Sequence, residues 1–329
     1  MRARLLALRP RYLRLVVLWS AVQPEASRPP DWSAPGFAGH SLLEDLRALR
    51  AARRAAGGFD PVVTFLSMPR WAARAPGGCE PRNANPDARA IDPAALPAYR
   101  RMIASLLVLS RREGVPISYW SPWNEPNSGL FLSPQRASCA PGAPSIGAEQ
   151  YVPLARAMKA EFDAAPGDQR IMVGETSSPF AAHPNISTLR EFVDGLPTDV
   201  LCGAAVYAQH EYAGDADSLG ELETLLRARC GGRPPRIWIT ETGVGGTPPG
   251  APRPIAPAAE RAACLSLWAL LDRFDSDPLV DAAFQYSFRD DPSFPVGLAA
   301  SDLSRVYPAY SVWLAAAHAG AAAADCKRS

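Results

Sequence analysis

The 329-residue chain holds only four histidines, at 40, 183, 210 and 318, and no two of them stand at ligand spacing. Its six cysteines include no Cys-x-x-Cys pair. These absences argue against a metal site, and the even cysteine count favours disulfides if the chain meets an oxidising compartment. No apolar run approaches the roughly 20 residues that span a bilayer. Neither sign of charge dominates: Lys+Arg number 34 and Asp+Glu 33, a net +1. The basic residues are scattered, without the aromatic-interleaved patch of a nucleic-acid binder. A neutral, sugar-like partner fits this balance. Internal repeats and low-complexity linkers are also missing, so one domain over residues 1–329 is the simplest expectation.

What is present is a globular composition, 47% hydrophobic and 20% charged, with ample length for a sizeable core. Strand-like and helix-like segments alternate throughout, which predicts an α/β fold with a parallel sheet and crossover helices. The expected strands are 13–19, 61–67, 116–123, 170–174, 200–207, 236–240 and 281–288. Amphipathic stretches at 40–56, 96–113, 147–165, 217–229 and 258–274 read as helices, and 309–323 as a closing helix. The start of the chain imitates a secretory signal, with arginines ahead of Leu15-Val16-Val17-Leu18-Trp19. A strand is the preferred reading of that run.

Two segments carry the chemistry. Tyr119-Trp120-Ser121-Pro122-Trp123-Asn124-Glu125-Pro126 and Ile237-Trp238-Ile239-Thr240-Glu241-Thr242-Gly243 each run apolar and aromatic into a glutamate, then break at Pro or Gly. A buried parallel strand delivers a carboxylate to the rim of a sheet in this way. Two such glutamates are what retaining hydrolysis of a glycosidic bond requires, one as acid/base and one as nucleophile.

The Asn-Glu-Pro and the later Thr-Glu-Thr-Gly resemble the clan-A glycoside hydrolases, most closely the family 39 and family 5 branches, over about residues 14 to 313. The resemblance implies a TIM (β/α)8 barrel, a carbohydrate substrate, double displacement and no cofactor. In those families the first motif ends strand 4 and the second ends strand 7. Two expected strands lie between them here, which agrees, but only two precede the first motif. The expectation is therefore that strand 1 is missing through N-terminal truncation, any leader with it, and that residues 1–9 are the tail of the first helix.

The family motif makes Glu125 the general acid/base, Glu241 the nucleophile and Asn124 the partner of the sugar 2-hydroxyl. Arg14, five residues before Trp19, has the spacing of the strand 2 arginine that keeps the nucleophile charged. His210 and Tyr212 resemble the His-x-Tyr at the end of strand 6, with Tyr207 as fallback. Trp71, Trp123, Tyr286 and Phe288 are candidate sugar platforms, though aromatics at strand ends are as often core. The family usually has a tryptophan at the end of strand 8, where this chain reads Phe284-Gln285-Tyr286-Ser287-Phe288. Glu175 also ends a strand, where the family has no catalytic carboxylate, and reads as a loop-ordering or substrate-contacting group.

A dinucleotide loop at Gly243-Val244-Gly245-Gly246 is excluded, because Pro248 takes the third glycine position and no helix follows directly. The remaining rival is a carbohydrate-binding barrel that has lost catalysis. Of the cysteines, Cys79 and Cys139 fall in loops after neighbouring strands on the active face. Cys202 and Cys230 fall near strand starts on the opposite one. Both pairs are expected to be within bonding reach.

Overall fold

The computed structural model describes residues 1–80, 84–178, 185–212, 218–245, 251–317 and 326. Seven parallel strands form one sheet in chain order: β1 Tyr12–Leu18, β2 Asp60–Leu66, β3 Tyr119–Ser121, β4 Arg170–Thr176, β5 Val206–His210, β6 Arg236–Thr242 and β7 Val280–Gln285. Eight helices lie along the chain between and beyond them: α1 Arg2–Ala7, α2 Leu42–Ala56, α3 Leu96–Arg112, α4 Gly147–Ala164, α5 Leu189–Gly195, α6 Ser218–Cys230, α7 Pro257–Ser276 and α8 Ala309–Ala317. Short helical turns at Trp19–Val22 and Thr198–Leu201 complete the connections.

The strand period of two sorts each strand between two cores. On β1, Leu13, Leu15 and Val17 join the large cluster under the helices, as do Val63 and Phe65 on β2. The opposite face carries Val62, Met172, Val206, Ala208, Trp238 and Phe284, packed with Tyr12 and Tyr119. Tyr12 lies 4.7 Å from Trp238 and Trp238 lies 4.3 Å from Tyr119, ring centre to ring centre. This aromatic plug fills the inside of the curl below the carboxyl ends of the strands.

Local signals account for the helix starts. Ser41 and Glu44 form a reciprocal capping box at α2, and Thr188 and Glu191 form another at α5. Each such cap stabilises its helix by about 1 kcal/mol. The Thr-x-x-Glu at α5 was the available signal for a helix that periodicity did not reveal.

The sheet is a curled half-barrel. Among the described residues its β1 edge bonds only β2 and its β7 edge only β6. Even so, the Tyr12 and Phe284 rings meet across the gap at 6.0 Å. Helix α1 lies beside α8, where the Tyr310 hydroxyl donates to the Arg4 carbonyl at 2.9 Å.

Three expected boundaries are corrected. Residues 200–207 are not one strand: Val200 and Leu201 belong to a helical turn after Pro197, and β5 begins only at Val206. A short apolar run cannot be assigned by periodicity alone. The strand expected at 116–123 is paired only over Tyr119–Ser121, between Pro116 and Pro122, neither of which has an N–H to donate. The strand expected at 281–288 ends at Gln285. Residues 318–323 of the expected closing helix lie outside the described residues. Both cysteine pairings hold, with Cys79–Cys139 and Cys202–Cys230 bonded, and a third bridge joins Cys264 of α7 to Cys326.

Candidate active site

Glu125 and Glu241 converge on one site at the carboxyl rim although they stand 116 positions apart in the chain. Their closest link is His210. Its Nδ1 is hydrogen-bonded to Glu125 Oε1 at 2.8 Å and lies 3.5 Å from Glu241 Oε2. Register explains the meeting: a shift after Gln209 sets His210 directly opposite Glu241 on the neighbouring strand. Glu125 is reached through a backbone with φ of +39°, the left-handed region that a non-glycine residue seldom adopts. Its N–H is fixed by the Glu175 carbonyl at 3.0 Å, and the Asn124 N–H by the Phe65 carbonyl at 2.9 Å.

Arg14 organises the other side. Its guanidinium donates from Nη1 to Glu241 Oε1 at 2.8 Å, from Nη2 to Asn124 Oδ1 at 2.6 Å and from Nε to Glu175 Oε1 at 2.7 Å. One planar fork thus holds groups from three strand ends, a geometry that lysine cannot reproduce. Burial disfavours the Arg14 cation, but Glu175 and Glu241 more than compensate and hold its pKa above the usual range. Burial likewise works against the ionised Glu175, while Arg14, His210 and a hydrogen bond from Thr64 hold that carboxyl below its usual range.

Tyr212 donates its hydroxyl to Glu241 Oε2 at 2.6 Å. Burial, then the negative charge of Glu241, push the tyrosine pKa well up, so it stays a donor. His210 is buried, which disfavours its cation, yet the charge of Glu241 and the bond to Glu125 raise its pKa overall. Its Nε2 has no hydrogen-bond partner among the described residues.

Phe294 wedges between the two tyrosines, 5.1 Å from Tyr212 and 5.9 Å from Tyr286, edge-on to both. Sequence reasoning missed Phe294, which no strand pattern marks. The loop carrying it approaches the end of β6 so closely that a Cβ on Gly245 would lie 2.0 Å from the Pro295 carbonyl oxygen. That close approach is the reason for glycine there.

The chain has the fold of family 39 and family 30 glycoside hydrolases. A family 39 glycoside hydrolase from Bacteroides cellulosilyticus WH2 superposes over 96% of this chain with a TM-score of 0.60 at 17% identity. A family 39 β-xylosidase from Caulobacter crescentus covers 95% with a TM-score of 0.59 at 17% identity. A family 30 subfamily 8 xylanase from Clostridium acetobutylicum covers 94% with a TM-score of 0.54 at 16% identity. The chain spans 59%, 66% and 64% of those three chains in turn, under two thirds of each. The sequence itself matches no family model and no curated protein.

Within this glycoside-hydrolase fold, Arg14, Asn124, Glu125, His210, Tyr212 and Glu241 form one connected network. Tyr286 borders it through Phe294. Trp71 is held otherwise: its indole N–H is spent on the Gln23 carbonyl at 3.0 Å and its ring meets Trp19 edge-on. Trp123 and Tyr207 are fully buried, and Phe288 packs on Tyr310, so these three are core. The Glu175 side chain has no exposed surface, and its carbonyl holds the Glu125 N–H at 3.0 Å in the segment that follows β3.

Glu125, His210 and Glu241 present ligand atoms within 4.8 Å of one another, a spacing that a cation can bridge. Sequence spacing gave no hint of this trio, because each member ends a different strand. No helix among the described residues is long and apolar enough to cross a membrane.

Proposed function

We propose that this chain hydrolyses O-glycosidic bonds of a carbohydrate with retained configuration, by double displacement. The observation that carries the reading is the spacing of the two glutamates. An oxygen of Glu125 and one of Glu241 lie within 4.8 Å. Retaining pairs stand about 5–5.5 Å apart, whereas inverting pairs need about 6.5–9.5 Å to admit a water.

Glu241 attacks the anomeric carbon while Glu125 gives its proton to the leaving oxygen, yielding a glycosyl ester on Glu241 and a free alcohol. Glu125, now a carboxylate, takes a proton from water, whose oxygen displaces Glu241 and restores both groups. His210 Nδ1, hydrogen-bonded to Glu125 Oε1 at 2.8 Å, is placed to orient the Glu125 carboxyl. Arg14 and Tyr212 hold the two oxygens of Glu241 and aim the carboxylate. Because Arg14 occupies the Asn124 oxygen, the Asn124 amide is left to donate to the sugar 2-hydroxyl. The likeness to a β-xylosidase and a xylanase supports a carbohydrate substrate, and Tyr286 is proposed to take the place of the tryptophan usual at strand 8.

All six cysteines are paired, which supports a working place outside the reducing cytosol.

An aryl-glycoside panel tests the activity, and Glu241→Ala tests the roles. The variant is expected to lose turnover and to regain it with azide, giving the glycosyl azide of inverted configuration. That outcome at Glu125→Ala, with none at Glu241→Ala, reverses the two roles. Carbohydrate binding without turnover in the parent protein leaves the catalytically impaired barrel as the reading.

A further inference from the structure

Glu175 is a fully buried carboxylate that the two displacement steps do not use. Regular alternation on β4 places Met172 inside the curl, Val173 under the helices and Gly174 inside, so residue 175 should face outward. Its carboxylate instead lies inside, bonded to Arg14 and Thr64. A register shift between Gly174 and Thr176 and two successive positive φ values, +88° at Gly174 and +54° at Glu175, turn it inward. Bulges of this kind re-aim one side chain. The first step of the turn requires glycine, since a Cβ on Gly174 would lie 2.7 Å from the Tyr207 ring. A buried charge on a strained backbone is doubly unfavourable, and structures keep such features where a site needs them.

Glu175 is also linked to both halves of the catalytic pair, to Glu125 directly and to Glu241 through Arg14. Its carbonyl accepts the Glu125 N–H at 3.0 Å, and its carboxylate takes Arg14 Nε on the opposite side of the guanidinium from Glu241. We propose that Glu175 is the positioning residue of this site: it seats the Glu125 backbone and divides the Arg14 charge between two carboxylates, so that Arg14 aims Glu241 without neutralising it. The inference rests on the glycosidase reading above. Without the Glu175 charge, Arg14 has Glu241 as its single anionic partner, and a carboxylate bound more tightly by a cation is a poorer nucleophile.

The test is Glu175→Gln, compared with the parent on a glycoside that the parent turns over. Rates are normalised to active sites by burst titration, so that a misfolded fraction does not count. The expected result is a kcat about 10- to 100-fold lower with little change in KM, as for a misplaced reacting group. The acid limb of kcat/KM moves to lower pH, because removing a negative charge and freeing Arg14 both favour ionised Glu241. A purely structural role moves stability but not that limb. An acid limb in its parental place, or a parental kcat per active site, overturns the proposal. Should Glu175→Gln fail to fold, Glu175→Asp is measured the same way. It keeps the charge but draws it back from Arg14, so the same direction of shift is expected and a parental limb again overturns the inference. A parent protein inactive on every glycoside fails earlier, at the glycosidase reading itself, and the two failures are thereby distinguished.

Discussion

Tyr212 and Glu241 meet at 2.6 Å, the tyrosine just past the end of β5 and the glutamate at the penultimate position of β6. The Glu211 N–H beside it donates to the Glu241 carbonyl at 3.0 Å, so the contact is anchored on the backbone as well. Together with Arg14 on the other oxygen, this hydrogen bond fixes the plane of the carboxylate. Tyr212→Phe is expected to keep the fold and lower kcat about 10- to 100-fold, the worth of a hydrogen bond to a charged group. Steady-state kinetics and a melting curve check it. A variant with the parental kcat would show that Glu241 needs no such anchor.

Acid should weaken the fold through Glu175. Its folded pKa is depressed, chiefly because Arg14 outweighs the effect of burial. A depressed carboxylate contributes stability that is present above its unfolded pKa, about 4.3, and lost as pH falls through the folded value. The Tm of the parent protein should therefore exceed that of Glu175→Gln near neutral pH, and the two should converge on acidification. A gap of constant size across that range contradicts the ionised pair.

The bridge between Cys79 and Cys139 closes 60 residues and pins the long loops that follow β2 and β3. Loop-closure entropy assigns such a bridge about 4 kcal/mol. Cys79→Ala with Cys139→Ala should lower the Tm markedly, and reductant should act on the parent in the same direction. A melt insensitive to both places the bridge outside the cooperative unit.

The two free edges should show themselves in solution. Val16 and Leu18 of β1, and Ala282 and Ala283 of β7, stay partly exposed, whereas five consecutive residues of the interior strand β2 are buried. Unpaired backbone beside apolar side chains promotes association. Light scattering on residues 1–329 should give self-association that grows with concentration. A monomer that melts cooperatively would show the edges to be adequately covered.

Much of the arrangement was legible because strand-end carboxylates carry local punctuation. Glu125 and Glu241 each follow an apolar run and precede a breaker, and Arg14 sits at fixed spacing from Trp19. Short apolar runs alternating with amphipathic stretches likewise located all seven strands, though not the bounds of β3, β5 and β7. Glu175 was visible as a strand end but not as a partner of Arg14, because a β-bulge that reverses one side chain leaves no periodic trace. Phe294 was invisible for a similar reason: it reaches the site from a loop, through tertiary approach at Gly245. The cation-compatible trio of Glu125, His210 and Glu241 is likewise a product of three strand ends and of no local spacing.

The central claim is that Glu241 becomes covalently bound to the sugar. A 2-deoxy-2-fluoro glycoside with a good leaving group slows breakdown of the glycosyl ester more than its formation, and the trapped protein can be digested and its peptides weighed. The account predicts a single glycosyl label on the peptide containing Ile237-Trp238-Ile239-Thr240-Glu241, located on Glu241. A label on Glu125, or turnover of the natural-configuration substrate with no trapped ester and an inverted product, would contradict it.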